Sequence, residues 1–242
     1  MYQNLHLICL RTVNYDDKSA ILAAYSRELG RVAFKVPTGA SREGRRRRAL
    51  TMPLGMVECT ADVRSGREIL TMRDVRPMQG VQPVATGSPV KMAIAAFLAE
   101  VLCTLLRERA GDEPLFDYIA GMTDALGTMQ KGVANFHLMF LYRLTRFVGI
   151  EPDTCGYVSD SVFDMRDGVF RASVPMHGQY LAGNDARAVL MLSRMRPGNL
   201  HFFRMNRDMR NRIVDGMLAY YGRHLGINME EIRSKDVLRC LF

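Results

Sequence analysis

From residue 5 to residue 75 the chain runs in short apolar stretches with β-branched and aromatic residues, tight-turn residues separate them, and Arg31–Val36 alternates at every second position. A period of two places alternate side chains on opposite faces of a strand, so such runs read as strands with one face buried. Leu5–Thr12 is the first, Lys18–Ser26 the second and Arg31–Val36 the third, which Pro37 ends. Leu54–Val63 is the fourth, Ser65-Gly66 supplies a hairpin turn, and Ile69–Val75 is the fifth. Five short strands in fewer than 80 residues cannot form a broad open sheet. They suit a small closed barrel of the OB-fold or SH3-like kind.

The period changes after Pro77. Residues 77–89 contain Pro77, Gly80, Pro83, Gly87 and Pro89, the composition of a linker. Ser88 then stands at an N-cap position with Pro89 at the first helical position. Helices are expected at Pro89–Arg109, Pro114–Met129 and Ala134–Val148, the last two with Pro114 as a start and Gly149 as a stop. Phe163–Met165 and Val169–Arg171 flank Arg166-Asp167-Gly168 and read as a β-hairpin. Asn184–Met195, Met205–Leu225 and a final turn within Glu230–Cys240 complete the helical part. The expected architecture is α+β: an OB-fold barrel over residues 1–78, a linker over 79–89, and a mainly helical domain over 90–242 with a hairpin inserted near 160–173.

Composition narrows the function classes. Hydrophobic residues make up 48% of the 242 residues, enough to bury a core, and the net charge is +8. The charge is unevenly laid out. Residues 1–80 carry 14 Lys/Arg against 8 Asp/Glu, residues 81–193 carry 9 against 12, and residues 194–242 carry 10 against 5. Two basic ends flank an acidic middle, a layout that attracts polyanions. No apolar run approaches the roughly 20 residues of a membrane span. No secretory leader pattern opens the chain, which points to the cytoplasm. The five cysteines, Cys9, Cys59, Cys103, Cys155 and Cys240, are scattered and never spaced C-x-x-C, so neither a disulfide framework nor a cysteine zinc site is expected.

The densest charge is Arg45-Arg46-Arg47-Arg48, preceded by Arg42, in a stretch read as a basic loop rich in small residues, Thr38–Thr51. Adjacent like charges are stable only in solvent or against an anion, so the run is either a solvated loop or a phosphate-gripping arm. Loops at an OB-fold mouth border the nucleic-acid groove, which favours the arm. Arg31 and Lys35 on the third strand and Arg64 and Arg67 at the hairpin would extend the patch. Tyr15 is the best exposed stacking candidate, whereas Phe34 alternates with Val32 and Val36 as core. A second cluster, Arg204, Arg207 and Arg210, falls at intervals of three along one face of the last long helix. It is a solvated face or a DNA- or protein-binding face, and the dock for an acidic, apolar-ended peptide is expected near Arg204 and Arg207. Its opposite face carries Met205, Met209, Ile213 and Met217. Tyr220, Tyr221 and His224 read as structural.

The search for catalytic motifs yields none. There is no phosphate-binding G-x-x-x-x-G-K-[ST], no G-x-G-x-x-G after a strand and no G-x-S-x-G elbow. The five histidines lack metal-ligand spacing. Asp160, Asp164 and Asp167 cluster, but at a hairpin turn, where aspartate bonds its own backbone. Neither a metal nor catalysis is expected.

Residues Leu10-Arg11-Thr12-Val13-Asn14-Tyr15-Asp16-Asp17-Lys18-Ser19 and Tyr25-Ser26-Arg27-Glu28-Leu29-Gly30-Arg31 resemble the N-terminal part of the RecO family. So does the basic Gly39-Ala40-Ser41-Arg42 stretch. Tyr220-Tyr221-Gly222-Arg223-His224-Leu225-Gly226 and Arg233-Ser234 resemble that family's last helix and tail. The resemblance rests on order and spacing over nearly the whole chain. It implies a recombination mediator that binds single- and double-stranded DNA, anneals complementary strands, partners with RecR, contacts the C-terminal tail of SSB and helps load recombinase. Many relatives carry a four-cysteine zinc module after the third helix of the helical domain. Only Cys155 stands there in this chain, so zinc is not expected. An RNA-binding barrel of translation or ribosome assembly, and a pure protein-interaction scaffold, are the alternatives that the charge pattern leaves open.

Overall fold

The computed structural model describes residues 2–39, 41–63, 68–82, 84, 88–106 and 110–241. The strands expected from the alternation are present: β1 (Tyr2–Asp16), β2 (Ser19–Ser26), β3 (Gly30–Pro37), β4 (Met56–Asp62) and β5 (Ile69–Pro77). They close in the order β1-β2-β3-β5-β4, with β3 and β5 parallel and the other neighbours antiparallel. This is the five-stranded Greek-key closure of an OB-type barrel. β1 serves two ladders: Tyr2–Ile8 pair with β4 and Leu7–Asp16 pair with β2. A register shift between Cys9 and Arg11 bends β1 between its two partners. The β1–β2 ladder shifts again between Asn14 and Asp16, and a further shift lies in β4–β5, where Asp74 takes a positive φ of 51°. The inward faces give one core containing Leu5, Leu7, Leu22, Phe34, Val57 and Leu70. The expected Ser65-Gly66 turn, with Arg64 and Arg67, lies outside the described residues.

One sequence expectation is corrected here. The arginine run is not a loop: Arg42–Leu50 form a helix, α1. The hydroxyl oxygen of Ser41 accepts from the Gly44 N–H at 3.0 Å, capping the first turn. Glu43 lies in that first turn while Arg47 and Arg48 lie in the last, the arrangement the helix dipole favours. Arginine is itself a good helix former, so a run of four propagates a turn once a cap starts it.

α2 (Pro89–Leu105) and α3 (Glu113–Thr128) follow. Ser88 caps α2 by accepting from the Lys91 N–H, as its position beside Pro89 implies. α2 packs on β1. Ile8 and Leu10 are buried although they do not belong to the barrel core, and they lie on the strand against which α2 packs. At Gly111 an added Cβ would collide with the backbone of Arg27 and Glu28, and Arg27 pairs with Asp117 at 3.2 Å, so the entry to α3 also meets the barrel. By compactness the chain divides into Met1–Thr128, unit 1, and Met129–Phe242, unit 2.

Unit 2 opens with a 3-10 turn, Val133–Asn135, and α4 (Phe136–Phe147), whose side chains are buried nearly all round. α5 (Gly183–Arg194) and α6 (Arg207–Leu225) pack on α4, and α7 (Ser234–Leu241) is last. Between α4 and α5 the expected hairpin forms as β6 (Val162–Asp164) and β7 (Val169–Arg171). A short third strand that sequence did not suggest, β8 (Tyr180–Leu181), pairs with the free side of β6. Tyr220, Tyr221 and His224 are structural as expected. Tyr220 Oη donates to the Ile150 carbonyl at 3.0 Å, Tyr221 Oη donates to that of Leu141 at 2.7 Å, and His224 Nε2 lies 2.9 Å from that of Met165. Among the described residues no helix is long and apolar enough to cross a membrane.

Candidate nucleic-acid interface

Helical geometry sorts the arginines of α1 by direction. Residues i, i+3 and i+4 share a face, so Arg42, Arg45 and Arg46 point the same way, and all three are exposed. The side chains of Arg42 and Arg46 have no hydrogen bond or ion pair with any described residue. Gly44 faces the opposite way and is buried, and a Cβ there would collide with the carbonyl oxygen of Gly39. Arg47 and Arg48 lie at the sides and are used locally. Arg47 is half-buried, 3.7 Å from Glu43. Arg48 Nη1 donates to the carbonyls of both Thr38 and Gly39 at 2.9 Å. This fork ties the last turn of α1 to the end of β3, and it leaves a three-arginine face outward. Beneath the helix is a cavity of about 450 Å³ with Leu10, Ala20 and Val36 at its apolar floor and Arg11, Arg47 and Arg48 at its rim.

The other expected barrel residues divide. Lys35 is exposed on β3, as the alternation with Phe34 and Val36 requires. Its ammonium is 3.3 Å from Asp16 Oδ2 and 5.1 Å from the centroid of the Tyr15 ring. Tyr15 is 63% exposed, so a flat ring with a cation over it stands at the β1–β2 turn. The hydroxyl-group and backbone hydrogen bonds around Asp16, together with Lys35, hold its carboxyl down to about 2, so it stays an anion and keeps Lys35 in place. Arg31 is elsewhere: its Nη2 lies 3.1 Å from the sulfur of Cys103 on α2, and it does not join the α1 face. The covering helix takes an arginine that strand periodicity alone would leave in solvent.

The expectation of three arginines along one face of the last helix is also corrected. α6 begins at Arg207, behind an Asn206 cap whose side chain accepts from the Met209 N–H at 2.8 Å. Arg204 therefore precedes the helix. Arg210 turns inward, donating to the Met205 carbonyl at 2.6 Å. Burial, with the Arg210 cation beside it, pushes His137 on α4 down to about 3, so that ring is neutral at physiological pH. Arg204 and Arg207 remain exposed. Sequence reasoning passed over Arg194, Arg196 and Phe202, which are exposed in the same stretch; the sign available was an aromatic flanked by arginines with no acidic residue between 194 and 207.

The aspartate cluster of the hairpin is a scaffold. The Asp164 side chain is 1% exposed. Burial pushes its carboxyl up, but hydrogen bonds from Arg171, the backbone N–H groups of Asp167 and Arg166, and His177 outweigh this and hold it near 2. Its Oδ1 accepts from the Arg166 and Asp167 N–H groups, and its Oδ2 accepts from Arg171 Nε at 2.8 Å. Asp167 is itself bonded to Arg171. Among the described residues no group of three or more His, Cys, Asp and Glu is placed to hold a metal ion.

Comparison with known proteins agrees with this architecture. The family model Recombination protein O N terminal matches residues 1–81, and Recombination protein O C terminal matches residues 87–231. The DNA repair protein RecO of Phocaeicola vulgatus is 36% identical over 242 residues, the whole of both chains. That of Bacteroides fragilis is 34% identical over 243 residues, again the whole of both, and that of Porphyromonas gingivalis W83 is 33% identical over 239, or 97% of each. An OB-type barrel with a basic helix, followed by a helical region with a hairpin, and full-length identity above 30% together place this chain in the RecO family.

Proposed function

We propose that the chain is a DNA repair and recombination mediator that binds single- and double-stranded DNA, promotes annealing of complementary strands and helps load recombinase onto SSB-coated single strands. The observation that carries this reading is the outward face of α1, with Arg42, Arg45 and Arg46 on a barrel of the OB type. Annealing is opposed by repulsion between two polyanions. A protein that neutralises phosphates releases condensed counterions and lowers that repulsion without a reacting group. No nucleophile, proton shuttle or cofactor enters such a mechanism, and the chain is not an enzyme on this reading. Lys35 with Tyr15, and Arg64 and Arg67, extend the grip beyond α1. On this reading RecR and the C-terminal tail of SSB are the protein partners, as the sequence resemblance to the RecO family implies.

The test is binding of a fluorescent single-stranded deoxyoligonucleotide across a salt series. The variant is Arg42→Ala, Arg45→Ala, Arg46→Ala, which leaves the local ties of Arg47 and Arg48 intact. Three phosphate contacts on a single strand correspond to about 2 units of log–log salt slope. The expected result is that the variant loses affinity and about that much slope. An unchanged slope removes α1 from the interface. Tighter binding of RNA of the same sequence would turn the assignment toward a 2′-hydroxyl reader.

A further inference from the structure

Unit 2 carries an exposed aromatic that its own packing does not use. A 3-10 turn, Pro197–Phe202, joins α5 to α6. It is fixed from below. Asn135 Nδ2 donates to the carbonyls of Leu200 at 3.2 Å and Phe203 at 2.7 Å. Leu200 is fully buried, and a Cβ at Gly132 would collide with the backbone at 200 and 201. At its far end the asparagine of the turn closes it, since Asn199 Oδ1 accepts from the Arg196 N–H and its Nδ2 donates to the Arg194 carbonyl. On this fixed base Phe202 is 74% exposed, with the His201 ring 4.0 Å away. Packing at this site is done by Leu200, so folding does not require a phenylalanine at 202.

Arg194, Arg196, Arg204 and Arg207 flank the turn and are exposed. None of the four has a hydrogen bond or ion pair from its side chain to a described residue. Four other arginines of the unit are engaged, Arg143 on the Met195 carbonyl, Arg171 on Asp164, Arg212 on Asp185 and Arg239 on Asp215, while Arg146, Arg166, Arg187 and Arg223 are exposed like the four but do not flank the turn. No carboxylate occurs from 194 to 207 to neutralise the four. A fixed, protruding ring among unneutralised guanidinium groups is the chemistry of a base-stacking platform with phosphate contacts.

We propose that residues 194–207 form a second single-stranded nucleic-acid surface, in which Phe202 stacks on a base and Arg194, Arg196, Arg204 and Arg207 contact phosphates. The inference rests on the reading of the chain as a strand-annealing protein and deepens it, since annealing requires a hold on two strands. An acidic peptide with an apolar end would also meet the arginines. Its apolar end wants a concave pocket, whereas Phe202 is convex and supplies a flat face.

The experiment uses the full chain carrying Arg42→Ala, Arg45→Ala and Arg46→Ala, so that binding through α1 is removed. A 12-nucleotide single strand bearing 2-aminopurine is titrated against it, with and without Phe202→Ala. Phe202 is solvent-facing, and circular dichroism checks that the fold persists. The triple variant is expected to retain binding and to quench 2-aminopurine by stacking. Adding Phe202→Ala is expected to abolish the quench and weaken the remaining binding by about tenfold, the loss of one stacked base. The proposal is overturned if the triple variant binds no strand, or if Phe202→Ala leaves quench and affinity unchanged. It is equally overturned if Phe202→Ala leaves the oligonucleotide untouched and instead loses binding of an acidic peptide with a C-terminal phenylalanine. Failure of the α1 reading is a separate result: the triple variant then binds as tightly as the wild type, whatever Phe202 does.

Discussion

Gly44 faces inward on α1, its N–H bonded to Ser41 and its Cα against the carbonyl of Gly39. In an open helix, Gly→Ala adds up to about 1 kcal/mol of stability. Here the added methyl meets backbone, which cannot rotate away. Gly44→Ala is therefore expected to destabilise by about 1–3 kcal/mol, the range of core overpacking, and to weaken single-strand binding as the arginine face tilts. Urea denaturation checks the first effect and oligonucleotide titration the second; a stabilised variant would contradict the contact. This is also the scale at which the sequence was least legible. Small residues at 39–41 pointed to a loop, and Ser41 was not recognised as a cap. The fate of Arg31 was beyond strand periodicity, because the group that covers it, Cys103, comes from a helix some 70 residues later. Arg204 was misplaced because the start of α6 is set by Asn206, not by the arginine spacing, and Arg210 because its guanidinium turns back onto the Met205 carbonyl.

The inserted hairpin shows how an element can be built on one carboxylate. Asp164 closes the β6–β7 turn by accepting from two backbone N–H groups and anchors Arg171 on the neighbouring strand. Asp164→Asn keeps an acceptor for the turn but turns an N–H toward the guanidinium. It is expected to cost about 2 kcal/mol, the worth of hydrogen bonds to a charged group, read as a lowered urea midpoint. The pH dependence follows from the held-down carboxyl. Its folded value, near 2, is below that of an unfolded aspartate, about 3.9. The stabilisation is therefore complete above about pH 4 and is lost as pH falls toward 2. Wild type and Asp164→Asn should converge in stability on acidification over that window. Strands β6 and β7 were legible because Phe163 and Phe170 alternate around an Asp-Gly turn. β8 was not, because two residues, Tyr180 and Leu181, carry no period and are strand only through their pairing with β6.

Taken whole, the chain divides after Thr128, so that α2 and α3 fold with the barrel. The proline-rich stretch at 77–89 reads as a linker by composition, but the packing of α2 on β1 makes it a short connection inside unit 1. A fragment of residues 1–128 is expected to melt cooperatively. A fragment of residues 1–81 would expose Ile8 and Leu10 and is expected to aggregate or melt without cooperativity. Cooperative melting of the shorter fragment at the same temperature would show that α2 contributes nothing to the barrel. The double duty of β1 reaches back to the chain's synthesis. Residues at its start find their partner only in β4, Tyr2 opposite Asp62. At about 5–20 residues per second, the first strand waits roughly 3–12 s for this partner, and longer still for β5, which closes the barrel. During that interval a nascent β1–β2–β3 meander has an open edge next to other nascent chains, so the ribosome-borne intermediate, more than the finished protein, is where holdase protection would matter.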